Sequence, residues 1–168
     1  ITVVPRDKPL PWLELRVPPN ANDRTRVKLS HASANGKPTL IEQPEPSLYR
    51  VKFDEAAPKG LAMNVELRVA ATVPEAPKGS TTLGAGLGAQ GARTADHGAF
   101  MAADEVINLA GLVPGIVPQV NGNPMSGPSG IGDLSLFEPA HYLVTVLAPR
   151  GWAVVAGGTP LGEVPEKD

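Results

Sequence analysis

Apolar and polar residues alternate along much of the first half of the chain. In the longest run the odd-numbered positions from Met63 to Val73 are all apolar, while Asn64, Glu66 and Arg68 stand between them. A helix brings apolar residues back every three or four positions, so eleven residues of alternation predict a β-strand with one buried face.

Shorter segments with strand patterns lie on both sides of this run. Asn35-Gly36 predicts a tight turn between two of them, and Pro149–Gly151 predicts a hairpin that joins the last two. The interval 100–113 is open, since Phe100–Val106 is also compatible with the start of a short helix. About eight strands without a long helix predict an all-β fold, either a β-sandwich or a related multi-sheet domain. The shorter segments are 12–17, 26–29, 39–42, 48–53, 106–112, 141–147 and 152–156.

Glycine and proline are in excess, with 18 and 19 residues in a chain of 168. Their combined share is roughly twice that of an average protein. Proline interrupts helices and is confined to turns and edges in sheets, which disfavours a helix bundle. Disorder is the competing interpretation, but the prolines lie between patterned apolar runs. The sequence therefore predicts a single β-domain over 1–168, with long Gly/Pro-rich loops at 74–93 and 114–132.

The charge and the cysteine content exclude several classes of function. A net charge of −2 and a pI near 5.9 provide no basic surface for nucleic acid. The chain has no cysteine, hence no disulfide and no thiolate site. No apolar run reaches the roughly 20 residues of a membrane span. The chain starts at Ile1 and stops at the polar stretch 163–168. We therefore interpret the whole chain as a segment of a larger secreted or periplasmic protein.

The glycine-rich stretch Gly86–Gly91 spells the dinucleotide motif G-x-G-x-x-G. A nucleotide cradle requires a strand that runs into the first glycine and a helix that opens at the last. Here the preceding strand pattern ends at Val73, and no helical pattern follows. We interpret the stretch as a flexible loop.

Candidate metal ligands are sparse, because no histidine belongs to an H-E-x-x-H or H-x-H pair. Asp96 and His97, with Asp104 and Glu105 nearby, are the best candidates for a mixed oxygen–nitrogen site. The favoured interpretation is a polar cluster in water at a turn or strand edge. The three histidines are His31, His97 and His141.

Nucleophilic catalysis and sugar binding find equally little support. The serines of the predicted loops lack a G-x-S-x-G elbow, and nothing selects a pair of carboxylates for glycoside chemistry. Trp12 and Trp152 are candidates for stacking on sugar rings, although a core or edge role is favoured for each. We therefore predict no catalytic, cofactor-binding or metal residue in this chain. The serines considered are Ser126, Ser129 and Ser135.

The last third of the chain has a recognisable order of motifs. Gly132-Asp133 and Phe137 lead into an alternating run, and Pro149–Trp152 separates it from a second run that ends in Ala156–Gly158. This order resembles the N-terminal β-domain of the aminopeptidase N family of zinc metallopeptidases, in its bacterial members. Upstream, Asp96–Phe100 with Leu109 and Pro114, and the strands around Asn35-Gly36 with Gly60 and 63–73, are similar to family stretches in the same order. The resemblance covers residues 26 to 160.

The resemblance implies a saddle-shaped, many-stranded β-domain that packs on a thermolysin-like catalytic domain and walls its substrate cleft. The zinc motif H-E-x-x-H, its downstream glutamate and the Gly-x-Met-x-Asn segment belong to that following domain, so zinc is expected only there. Val113 stands where the family's middle loop has an aromatic residue, and no residue matches the substrate-anchoring glutamine or glutamate. The implied partners are the downstream catalytic domain of the same polypeptide and a peptide substrate at the domain interface.

Two other functions compete with a non-catalytic domain of a zinc aminopeptidase-like protein. The first is a stand-alone extracytoplasmic β-sandwich that binds carbohydrate or protein. The second is a hydrolase that acts through Asp96, His97 and nearby acidic residues.

Overall fold

The protein is an all-β structure. The computed structural model describes residues 1–21, 23–75, 100–103, 105–120, 123–125, 137–138, 142 and 144–162. In this part of the chain the only helical element is a single 3-10 turn at Pro18–Asn20. The described strands are β1 (Thr2–Val3), β2 (Leu10–Arg16), β3 (Val27–Ala34), β4 (Lys37–Pro38), β5 (Leu40–Glu45), β6 (Leu48–Ala57), β7 (Met63–Ala71), β8 (Phe100–Ala103), β9 (Val106–Leu109), β10 (Gly115–Ile116), β11 (Gln119–Val120) and β12 (Asn123–Pro124).

Two four-stranded sheets organise the first two-thirds of the chain. One has the order β1-β7-β3-β4 and the other β10-β2-β6-β5, and all of their strand pairs are antiparallel. β8 pairs with β9, and β11 pairs with β12, in two separate ribbons. We call the two large sheets the β7 sheet and the β6 sheet.

The two large sheets share one hydrophobic core. Each contributes alternate residues of its central strands, as period-two burial requires. The ring of Phe100 joins the same core and is fully buried. The β6 sheet supplies Leu13, Leu15, Val17, Tyr49, Val51 and Ala57, and the β7 sheet supplies Val27, Leu29, Ala32, Met63 and Val65.

The alternation predicted for 63–73 is confirmed as a strand, with β7 ending at Ala71. Met63 and Val65 are buried while Asn64 and Glu66 are exposed, but from Val69 onwards the apolar side chains also reach the surface. β7 therefore lies over the core only with its first half. The strands predicted at 12–17, 26–29, 39–42 and 48–53 are likewise confirmed, as β2, β3, β5 and β6.

The predicted Asn35-Gly36 turn is also present, but the strand that returns from it is β4 and not the predicted segment 39–42, which belongs to β5 and pairs with β6 in the other sheet. Ala34 pairs with Lys37, so only two residues connect β3 to β4, and their φ angles are +49° and +78°. Positive φ at both central positions is the signature of a type I′ turn, which matches the twist of a hairpin. The Asn35 Oδ1 also accepts a hydrogen bond from the Asn64 backbone N–H at 2.9 Å, which ties the turn to β7.

Gly36→Ala is expected to lower the free energy of unfolding by about 1 kcal/mol, because a Cβ disfavours positive φ. No atom lies within 4 Å of the added Cβ, so the effect is purely conformational. Gly157→Ala is the matched control, since Gly157 is equally open and has no positive φ. Urea denaturation measures both variants, and equal stabilities would contradict the turn assignment.

A buried polar clasp ties the loop between β2 and β3 to both sheets. Asn20 is fully buried; its Nδ2 donates to the Val27 carbonyl at 2.7 Å, and its Oδ1 accepts from the Val27 N–H at 2.8 Å. The Tyr49 hydroxyl donates to the same Val27 carbonyl at 2.7 Å. Val27 opens β3 in the β7 sheet, whereas Tyr49 belongs to β6, so the clasp joins the two sheets.

The interval 100–113, which the sequence left open, contains a β-hairpin, and the predicted loop at 114–132 is described only in part. Phe100–Ala103 and Val106–Leu109 are the two strands of a hairpin, so the helical alternative is wrong. Three two-residue strands, β10 to β12, lie within 114–125, where a loop was predicted. Loop 74–93 lies outside the described residues after Glu75, which forms a parallel bridge with Ala102.

The prediction of two strands at 141–147 and 152–156 is wrong for the described residues of these segments, none of which is in a strand. The turn between them does form: the Trp152 N–H donates to the Pro149 carbonyl at 3.2 Å, and Gly151 has φ +89°. A strand needs a neighbour for its backbone N–H and C=O groups. Alternation marks a sequence suited to pairing, and it does not supply the neighbour.

Candidate functional site

Most of the candidate residues taken from the sequence lie outside the described part of the chain. This holds for Gly86–Gly91, and for the group of Asp96, His97 and Asp104. Four of the candidates are described: Glu105, His31 and Trp152 are exposed, and Trp12 is partly buried. The remaining candidates outside the described residues are Ser126, Ser129, Ser135 and His141.

His31 occupies a bulge of β3 and not a ligand cluster. The β3–β7 register shifts between Ser30 and Ser33, and His31 has the positive φ of +50° that such a bulge accommodates. Its Nδ1 lies 3.0 Å from the Ser30 hydroxyl. Among the residues that the structure describes, no group of three His, Cys, Asp or Glu side chains is placed to hold a metal ion.

The chemically unusual place in the described structure is a buried ion pair on the outer face of the β6 sheet. Glu14 of β2 stands directly opposite Arg50 of β6. Arg50 donates to the Glu14 Oε1 twice, through Nε at 3.1 Å and through a terminal nitrogen at 2.7 Å. The Glu14 side chain is 1% exposed and that of Arg50 is 30% exposed, so the carboxylate is deep and the guanidinium reaches solvent.

Trp12 completes this cluster from the same strand as Glu14. The Arg50 guanidinium carbon lies 5.1 Å from the centre of the Trp12 ring, which is cation–π geometry. The Trp12 Nε1 and the Glu14 Oε2 are both buried and have no hydrogen-bond partner among the described residues. We call Trp12, Glu14 and Arg50 the cation cluster.

Neighbouring charges and β10 complete the surroundings of the cation cluster. Lys52, two residues after Arg50 on β6, forms an ion pair at 2.6 Å with Glu42, which lies opposite Arg50 on β5. β10 lies along β2 on the side away from β6, where the Val117 N–H donates to the Glu14 carbonyl at 3.0 Å. The Phe137 ring lies against Gly115 so closely that an added Cβ would meet it at 2.3 Å.

The sequence indicated only part of this cluster. Alternation in 12–17 places Trp12 and Glu14 on the face opposite Leu13 and Leu15, which reads as an outward face. It does not reveal the register that sets Arg50 beside Glu14, nor the later strand β10 that lies next to β2. Because the Arg50 guanidinium lies over one face of the Trp12 ring, that face is closed to a sugar ring.

A second notable surface is the C-terminal apolar segment, which we define as residues 142–161. Among the described residues, 17 large apolar side chains are exposed, and eight of them belong to this segment. Val155 is 97% exposed, and Leu147 and Leu161 are 82% exposed. Arg150 is the single charged residue in this interval of the sequence. An apolar, nearly uncharged surface of this kind marks an interaction site or an aggregation liability.

Known proteins add no further constraint on either surface. In the part of the chain that the structure describes, no helix is long and apolar enough to cross a membrane. No protein family, curated protein or solved structure matches the chain. The resemblance to the aminopeptidase N family therefore rests only on the residues quoted for it.

Proposed function

We propose that this chain is the non-catalytic N-terminal β-domain of a zinc aminopeptidase-like protein, with a structural and cleft-forming role. The observation that carries the proposal is the C-terminal apolar segment, with half-exposed Tyr142 and Trp152 and the strongly exposed Val155. The two large sheets already share a core of their own, so this segment is free to serve a neighbouring domain. The same segment contains part of the ordered motifs on which the family resemblance rests.

The physical reason for a partner is the balance between burial and exposure. Transfer of apolar surface from water contributes roughly 25 cal/mol per Å², and the described core uses residues before 118. No described residue of the C-terminal apolar segment belongs to that core, and its contact with the body of the domain is the hydrogen bond from the Tyr142 hydroxyl to the Pro114 carbonyl at 3.3 Å. A downstream catalytic domain that covers it would supply both the missing burial and partners for its backbone. Zinc and the catalytic residues then belong to that domain, and export to the periplasm or medium is part of the same proposal.

The coding sequence that follows Asp168 tests this proposal first. A downstream H-E-x-x-H motif, together with about one zinc per molecule of the purified longer protein, is the expected result. A longer protein without this motif would remove the peptidase assignment. The apolar segment can be tested separately with the double variant Val144→Asp, Val155→Asp. It should weaken the packing between the two domains, so that limited proteolysis cleaves the longer protein between them. Thr145→Asp is the matched control in the same segment.

A stand-alone binding module is the second candidate, and half-exposed Trp152 is the observation that favours it. Its indole is the type of side chain that stacks on sugar rings. A glycan array probed with the 168-residue chain separates the two proposals, because a non-catalytic N-terminal domain should retain no glycan. Binding that is lost in Trp152→Ala would favour the binding module.

A further inference from the structure

The cation cluster is divided unequally between its two strands. Both groups that contact the guanidinium of Arg50, the Glu14 carboxylate and the Trp12 ring, come from β2 and lie two residues apart on one face. Glu14 is almost fully buried, whereas Arg50 is 30% exposed. Trp12 and Glu14 therefore form a fixed receptor, and Arg50 lies over it from the neighbouring strand.

The receptor is not saturated by Arg50. The Nε and one terminal nitrogen of Arg50 both donate to the same Glu14 carboxylate oxygen, Oε1. The other oxygen, Oε2, is buried without a partner among the described residues. A guanidinium that is free of the β6 backbone can donate to both oxygens in the parallel, bidentate arrangement that is the stronger form of this pair. The tether of Arg50 thus leaves hydrogen-bonding capacity that an untethered guanidinium would use.

We propose that Trp12 and Glu14 form a binding site for a guanidinium cation, and that Arg50 is its exchangeable intramolecular occupant. The buried Glu14 carboxylate requires a cation at all times, because an uncompensated buried charge is strongly destabilising. The Trp12 ring favours a flat cation over its face. The ligand class is a free guanidinium compound or an arginine side chain of a peptide. The site is independent of the proposed function.

The structure also provides a place for the displaced Arg50. Glu42 of β5 lies opposite Arg50 on the other side of β6, and its carboxylate is 38% exposed and paired with Lys52. Arg50 can therefore leave Glu14 and share Glu42 at the surface without loss of a charge partner. Ligand binding then moves the Arg50 guanidinium from the buried Glu14 carboxylate to the exposed Glu42 carboxylate.

The direct test is a titration with methylguanidinium, followed by Trp12 fluorescence. The chain has two tryptophans, so Trp152→Phe leaves Trp12 as the single reporter. In that background we expect saturable binding, and at least 10-fold tighter binding in Arg50→Ala, where the competing occupant is gone. Glu14→Gln combined with Arg50→Ala should abolish the response. Arg16→Ala, which removes the arginine at the end of β2, should bind methylguanidinium as the parent does.

Three results would overturn the proposal. They are no saturable change in the parent, equal affinity in the parent and Arg50→Ala, and binding that survives Glu14→Gln. Methylammonium serves as a second probe, and tighter binding of it than of methylguanidinium would contradict a guanidinium site. If Arg50→Ala does not fold, Arg50→Lys replaces it. Lysine lacks the planar guanidinium that stacks on Trp12, so it should compete less well, and the variant should bind methylguanidinium several-fold more tightly than the parent.

Discussion

Arg50→Met is expected to lower the free energy of unfolding by about 3 kcal/mol at neutral pH. The reason is that the buried Glu14 loses its only ion-pair partner among the described residues. Removal of one member of a buried pair costs about 3–5 kcal/mol, and the lower end applies because Arg50 reaches solvent. Methionine preserves most of the apolar contact with Trp12, so the change isolates the charge. Urea denaturation provides the measurement.

The reverse substitution and the double variant control this result. In Glu14→Leu, the Arg50 guanidinium can rotate towards solvent and pair with Glu42. The loss in free energy of unfolding should therefore be clearly smaller than for Arg50→Met. The double variant should recover most of the lost stability, since an apolar pair often replaces a buried ion pair without loss. Equal costs for the two single variants would show that Glu14 is not the deeply buried member.

Asn20→Ala is expected to destabilise the protein by about 3 kcal/mol, because two buried groups lose partners at once. The Val27 N–H then lacks an acceptor, and the Val27 carbonyl loses one of its two donors. An unsatisfied buried group costs about 1–3 kcal/mol. Asn64→Ala is the matched control on the exposed side of β7 and should change stability by less than about 0.5 kcal/mol. A cost for Asn20→Ala as small as that of the control would remove the clasp from the account of the fold.

The clasp also predicts a dependence of stability on alkaline pH. Burial raises the pKa of the Tyr49 hydroxyl above its ordinary value. A raised pKa in the folded state gives stability that is complete below the unfolded pKa of about 10 and is lost as pH rises towards the folded value. Tyr49→Phe should therefore flatten the fall of stability above about pH 10, at a cost of about 1 kcal/mol below it for the hydrogen bond to Val27.

Local pattern predicted the longer strands of the two large sheets, because burial on one face has a direct signature in sequence, but it missed the two-residue strands β1, β4 and β10. The alternation at Met63–Val73 and the Asn35-Gly36 turn each depend on neighbouring residues only, and both predictions are confirmed. Side-chain type alone cannot provide a partner strand. For this reason the alternation after 141 predicted a hairpin, of which the structure shows only the turn.

The chemistry of the cation cluster was hidden for a related reason. Glu14 and Arg50 are 36 residues apart, and their contact depends on the register between β2 and β6. Local pattern indicates that a carboxylate on the polar face of a strand is solvated, whereas the Glu14 side chain is only 1% exposed. Register and coverage are tertiary properties, whereas composition and spacing are local ones. The best sequence candidates, Asp96 and His97, lie outside the described residues.

The central claim is that the two large sheets are complete within this chain, whereas the C-terminal apolar segment depends on a partner. Hydrogen–deuterium exchange on the 168-residue chain tests it directly. The account predicts slow exchange in β2, β3, β6 and β7, and exchange at close to the unprotected rate across 144–161. Protection of 144–161 equal to that of β6 would contradict it, because the segment would then already be paired within the chain.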